Sequence, residues 1–208
     1  EKAYIYQEII AKLGSGKPVQ PGNTMIGYVG SGSIGVAVYD GEKIVYSQNI
    51  SMGALKLHDV LRRMRQESED FHYIIEEYLD TIFNRVAIDR FQIKNLVLTG
   101  SQLELVAQLC QAQSPDGPYE IRTENLTSLY KSIRSATAES IANRFGITEE
   151  RAALLYTSLS IYNGLLRFCP TADRVVSPPV DISEAILRYM LTPKAEAALA
   201  SYLRQSAL

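Results

Sequence analysis

Cysteine and histidine are scarce in this chain, and no apolar run is long. Cys110 and Cys169 are its only thiols, too few for a disulfide framework or a zinc site, and both read as buried and inert. The two histidines, His58 and His72, fall short of the ligand count a metal-dependent site needs, although His58-Asp59 forms an HD dipeptide. They read as surface or helix-packing residues. Charge of one sign is lacking too: the formal net charge is −2, so no broad electrostatic footprint for nucleic acid or an anionic membrane is implied. No apolar stretch approaches the roughly 20 residues that a bilayer span requires, and no signal-peptide pattern opens the chain. A soluble, cytoplasmic protein is expected. There is no internal repeat and no low-complexity segment.

Present instead is material for one sizeable core, since 46% of the 208 residues are hydrophobic and 21% charged. The chain centres on Met25–Asn49, MIGYVGSGSIGVAVYDGEKIVYSQN. Asp40-Gly41, between segments rich in β-branched and aromatic residues, is a strong hairpin signal because both central turn positions favour φ > 0. Gly30, Ser31, Gly32 and Ser33 form an earlier turn between two apolar runs. Such a turn lets backbone approach a ligand, and its N–H groups with serine hydroxyls can cradle phosphate. It can equally be a tight turn between edge strands.

Residues 1–13 (EKAYIYQEIIAKL) read as a helix closed by Gly14, and 14–23 as a Gly/Pro-rich linker. Lys17 in that linker lacks the spacing and preceding strand of a P-loop. Strands are expected near Met25–Val29, Ile34–Tyr39 and Lys43–Asn49, with helices near Ala54–Gln66 and Glu69–Val86. Arg62, Arg63 and Arg65 are neutralised by Glu67, Glu69 and Asp70 and read as a solvated face. Asn95–Thr99 is a short apolar strand running through Thr99, Gly100 and Ser101 into a helix, which aims N–H groups and the helix dipole at an anion. Glu120–Arg122 is a possible short strand. Helical patterns cover Asn125–Arg134, Thr137–Phe145 and Thr148–Phe168, the last opened by Thr148 and two glutamates. Arg174–Ser177 is a final strand, Asp181 caps a helix to Leu191, and residues 192–208 form a C-terminal helix. This order predicts an α/β fold: a mixed five-stranded sheet with helices on both faces.

Strand, GxGS loop, strand, Asp-Gly turn and strand, followed by Ser51-Met52-Gly53-Ala54-Leu55-Lys56-Leu57, resembles the exopolyphosphatase / guanosine pentaphosphate phosphatase (Ppx/GppA) family. Three further stretches extend the resemblance in order: LVLTGS at 96–101, ITEERAALLYTSLSIYNGLL at 147–166, and VVSPPVDISEAILRYML at 175–191. The resemblance implies a ribonuclease H-like domain of the actin/sugar-kinase/Hsp70 type, residues 1–191 with a core at 24–191. It matches the second domain of the family's phosphatase core, so the missing first domain, with the other phosphate loop, would be a partner. The implied chemistry is hydrolysis of the terminal phosphoanhydride of polyphosphate or guanosine pentaphosphate. Gly30, Ser31, Gly32, Ser33, Thr99, Gly100 and Ser101 are then the phosphate-binding residues. A magnesium ion is a cofactor the resemblance allows, but no ligand set in the sequence supports it.

Four acidic positions of the family pattern depart. The leading aspartate falls on Tyr28, the acid after the glycine turn on Gly35, the second glutamate of the leading helix on Lys2, and the acid after Arg-Ala on Ala153. Only Glu1 remains beside Lys2 as a candidate catalytic acid. The expectation is a phosphatase-type domain with degenerate acids and no hydrolysis by the chain alone. The competing classes are a non-catalytic phosphate- or nucleotide-binding module and a purely structural domain.

Overall fold

The structure, a computed structural model, describes residues 2–14, 20–64, 71–100, 102–112, 118–181, 183, 187–188 and 190–191. Its elements are α1 (Lys2–Gly14), β1 (Thr24–Val29), β2 (Ile34–Tyr39), β3 (Ile44–Ile50), α2 (Ala54–Met64), α3 (Phe71–Phe83) and β4 (Asn95–Gly100). They continue as α4 (Leu103–Leu109), β5 (Tyr119–Arg122), α5 (Thr123–Ile133), α6 (Ala138–Phe145), α7 (Glu149–Leu165) and β6 (Arg174–Ser177). Short 3-10 turns at Asp89–Phe91 and Leu166–Phe168 complete the set.

One sheet runs through the molecule in the order β3-β2-β1-β4-β6-β5. It has six strands where the sequence predicts five. The additional strand is Tyr119–Arg122, which pairs antiparallel with β6 from Tyr119↔Ser177 to Arg122↔Arg174. Four residues carry too little alternation to declare a strand; a partner supplied by the far end of the chain makes it one. β1, β4 and β6 are parallel to each other, β2 folds back antiparallel on β1, and β3 pairs antiparallel with β2.

Side-chain alternation along the strands divides the core in two. Met25, Val29, Val36, Val38, Leu96, Leu98 and Val175 face the main core with α2 to α7, while Ile26, Ala37 and Val97 face α1 through Ile5, Tyr6, Ile9 and Leu13. Helices thus cover both faces, unequally. α7 is the centre of the thicker layer and packs against β1, α2, α3, α4, α5 and α6. Burial on nearly every side, including Leu155, Leu159, Ile161 and Leu165, explains why its sequence shows no polar stripe. Gly27 and Gly164 permit its close approach, since a Cβ on Gly27 would stand 3.1 Å from Leu165 and one on Gly164 2.6 Å from Phe83. Thr137 and Thr148 cap α6 and α7 by accepting the Ser140 and Arg151 amides at 3.1 and 3.3 Å. Gly146, at φ +65°, closes α6. Both cysteines are free and buried. No described helix is long and apolar enough to cross a membrane.

Candidate functional site

Gly30–Ser33 leaves the C-terminal end of β1, and Thr99-Gly100 is the C-terminal end of β4. Parallel pairing sets Tyr28 opposite Thr99 and Val29 opposite Gly100, so the two turns lie side by side at one end of the sheet. The ends of parallel strands, where connections diverge, open the crevice that α/β sheets use for ligands. Approach there is close: a Cβ on Gly100 would stand 2.3 Å from the Val29 carbonyl oxygen and 2.6 Å from the Tyr162 hydroxyl. Ser101 and Glu1 lie outside the described residues. α4, which follows the second turn, has seven residues and no side-chain cap, so the expected dipole is a short one.

The first turn is built by what lies beneath it. Gly30 N–H donates to the Ser33 carbonyl at 3.0 Å, closing the loop. The first amides of α2 then reach up: Ala54 donates to the Gly30 carbonyl at 3.0 Å, and Leu55 and Lys56 to the Ser31 carbonyl at 3.0 and 3.3 Å. Both carbonyls point down into the helix, and among the described residues no acceptor is recorded for the Ser31 and Gly32 amides. Gly53 makes this stacking possible, for a Cβ there would stand 2.3 Å from the Gly30 oxygen and 2.4 Å from the Ser33 nitrogen. Lys56 adds a cation; its Cε is 3.9 Å from the Cβ position of Gly32. Reading the glycines and serines alone misses Lys56. The signal was available, three residues after Gly53 in a helix that starts against the turn.

Of the four departing positions, the structure brings two together. Tyr28 and Gly35 are direct cross-strand partners. The Tyr28 ring leans on the turn, its Cε1 3.1 Å and its hydroxyl 3.5 Å from the Cβ position of Gly30. Ala153 is elsewhere, lining a small cavity between α2, α6 and α7 with His58, Arg62, Tyr156 and Thr157. Lys2 opens α1. Asp40, another acid of the hairpin, is at the opposite end of the sheet, where its carboxylate accepts the Glu42 and Lys43 amides at 2.9 and 2.8 Å. Those bonds, the Lys43 one foremost, hold its carboxyl below the usual carboxylate range.

Behind the crevice Tyr162 is fully buried, and among the described residues its hydroxyl has no hydrogen-bond partner. Burial, reinforced by nearby Tyr28, pushes that phenol well above its ordinary value, so it remains an O–H group. A groove continues from Thr99 and Gly100 toward β6, lined also by Glu104, Tyr119, Ser177 and Asp181. Lys12 reaches it from α1, tied to the Pro179 carbonyl at 2.6 Å and paired with buried Glu8 at 3.5 Å. Among the described residues no group of three or more His, Cys, Asp or Glu side chains could hold a metal. Magnesium prefers carboxylate and water oxygens. The phenol, backbone amides and lysine at this turn do not fit it.

The topology is that of a ribonuclease H-like, actin-type domain, and solved structures with the same fold exist. An exopolyphosphatase from Cytophaga hutchinsonii matches with a TM-score of 0.74 at 16% identity, over 92% of this chain and 62% of that one. The Aquifex aeolicus Ppx/GppA enzyme matches with a TM-score of 0.71 at 16% identity, over 88% and 60%. An exopolyphosphatase-like protein matches at 0.65 and 11% identity, over 83% and 62%. The chain therefore spans about six tenths of the length of these structures. At such identities the likeness is one of fold, and at that level the resemblance to Ppx/GppA proteins is borne out. No protein-family model matches the sequence, and no curated protein matches it.

Proposed function

We propose that this chain is the second domain of a Ppx/GppA-type phosphatase, that its two glycine turns bind phosphate oxygens, and that its own catalytic acids are lost. One observation carries the reading: the turns that look like phosphate loops in the sequence are neighbours at the same end of the sheet, with Val29 opposite Gly100. Backbone amides and Lys56 supply donors and positive charge there. The whole protein's substrate class is then the terminal phosphoanhydride of polyphosphate or guanosine pentaphosphate, held between this domain and a first domain carrying the other loop.

Phosphoryl transfer depends on positioning and charge stabilisation around the phosphate. An acid–base group contributes typically about 10²–10⁴ in rate. Tyr28, Gly35 and Ala153 supply no carboxylate, which favours binding without catalysis by this chain. Phosphate release from polyphosphate and from guanosine pentaphosphate, with magnesium, tests both parts on this chain and on the full-length protein. The expected result is no release by the chain alone. Turnover by the chain would overturn the loss of catalysis. Turnover by the full-length protein alone would leave the chain an incomplete half and assign the acids elsewhere.

A further inference from the structure

The crevice is one of donors. Three of the four carbonyls of the first turn are already hydrogen-bonded, Gly30 and Ser31 by the first amides of α2 and Ser33 by the Gly30 amide. The same bonds set the positive end of an eleven-residue helix beneath the turn, which favours an anion above it and disfavours a metal. Lys56 stands beside Gly32 and the Tyr28 hydroxyl beside Gly30. Tyr162, wholly buried and among the described residues without a hydrogen-bond partner, has its hydroxyl against Gly100. The adjoining groove carries two carboxylates, Glu104 and Asp181, beside Thr99 and Gly100. Asp181 also accepts the Ser183 amide at 2.7 Å.

We propose that the crevice takes a phosphate oxyanion directly, with no divalent metal between protein and anion. Tyr28 serves as a neutral hydrogen-bond donor and Lys56 as the local positive charge. A phosphate oxygen above the turn accepts from the Ser31 and Gly32 amides and from the Tyr28 hydroxyl, while Lys56 balances its charge. Charge-assisted bonds of this kind are the strong ones, and they need no bridging ion. The inference rests on the phosphate-crevice reading given above.

Calorimetric titration of the chain with inorganic pyrophosphate, in EDTA and again in millimolar magnesium, is the test. Binding in EDTA is expected, no weaker than in magnesium, and falling as salt is raised. Tyr28→Phe should lower the EDTA affinity on the order of tenfold, as loss of a hydrogen bond to a charged group does. Lys56→Gln, at an exposed position, should lower it about threefold and flatten the salt dependence. Tyr28→Asp should abolish binding in EDTA and restore part of it with magnesium. Wild-type binding that requires magnesium overturns this inference while leaving the crevice in place. So does an EDTA affinity unchanged in both Tyr28→Phe and Lys56→Gln. Absence of binding under both conditions overturns the crevice itself, and this inference with it.

Discussion

At the scale of single residues, the site depends on glycines that fail as generic turn formers and succeed as spacers. Gly53 belongs to no turn signal; its value is that three backbone atoms of the Gly30–Ser33 loop occupy the space a side chain would need. Backbone cannot move aside as a lysine tip can. Gly53→Ala should therefore destabilise the protein by about 1–3 kcal/mol, the usual cost of overpacking, and should also displace the loop and weaken pyrophosphate binding. Gly32→Ala is the contrast: the nearest atom is the flexible end of Lys56 at 3.9 Å, so stability should stay within about 0.5 kcal/mol. Urea denaturation of the two variants separates them, and equal midpoints would contradict the stacking of turn on helix.

At the scale of elements, α7 organises the thicker layer. Its end is set locally and its middle globally. Thr148 accepts the Arg151 amide from an exposed position, so Thr148→Ala should cost about 1 kcal/mol, the typical value of a cap. Leu159 is fully buried between sheet and helices, so Leu159→Ala should cost about 2–5 kcal/mol through lost transfer energy and the cavity left behind. Equilibrium unfolding of both variants measures the ratio. A cap variant as damaging as the core variant would mean that α7 is held by its end rather than by packing. The helix start was legible in Thr148-Glu149-Glu150, whereas its all-round burial was not, since polar Thr157, Ser158 and Ser160 are buried along with the leucines.

At the scale of the whole molecule, several buried ionisable groups are phenols and thiols, which are neutral while protonated. Burial pushes the Cys110 thiol from its ordinary 9.0 up to about 11. It also pushes the Tyr6 phenol up to about 12, against a smaller opposing effect of a hydrogen bond with Ser47. Tyr130 is raised as well, first by burial and then by its bond to Glu76. Between the unfolded and folded values, the unfolded chain releases protons that the folded chain keeps. The unfolded state then binds fewer protons, so stability is complete below the unfolded value and is lost as pH rises toward the folded one. Each such group costs about 1.4 kcal/mol per pH unit inside its window. Urea midpoints should hold steady up to about pH 9 and fall from there to about 11, Cys110 first. A midpoint unchanged across that window would mean that these groups are accessible in the folded state.

Short-range signals fixed much of this molecule. The Asp40-Gly41 hairpin, the Thr148 helix start and the short apolar strand at 95–99 follow from neighbouring residues, because turns, caps and alternation are decided within a few positions of the chain. The sequence likewise located both glycine turns. Tertiary structure alone decided three things. It made Tyr119–Arg122 a sixth strand by supplying β6 as a partner from more than fifty residues away. It brought the Gly30 turn to Gly100 by pairing β1 with β4 across two intervening strands and two helices, Val29 opposite Gly100. And it placed Tyr28 opposite Gly35 and against Gly30, the placement on which the proposed phosphate contact rests. Those outcomes rest on which strands pair and which faces are buried, and that choice is made by the whole core at once rather than by any local stretch.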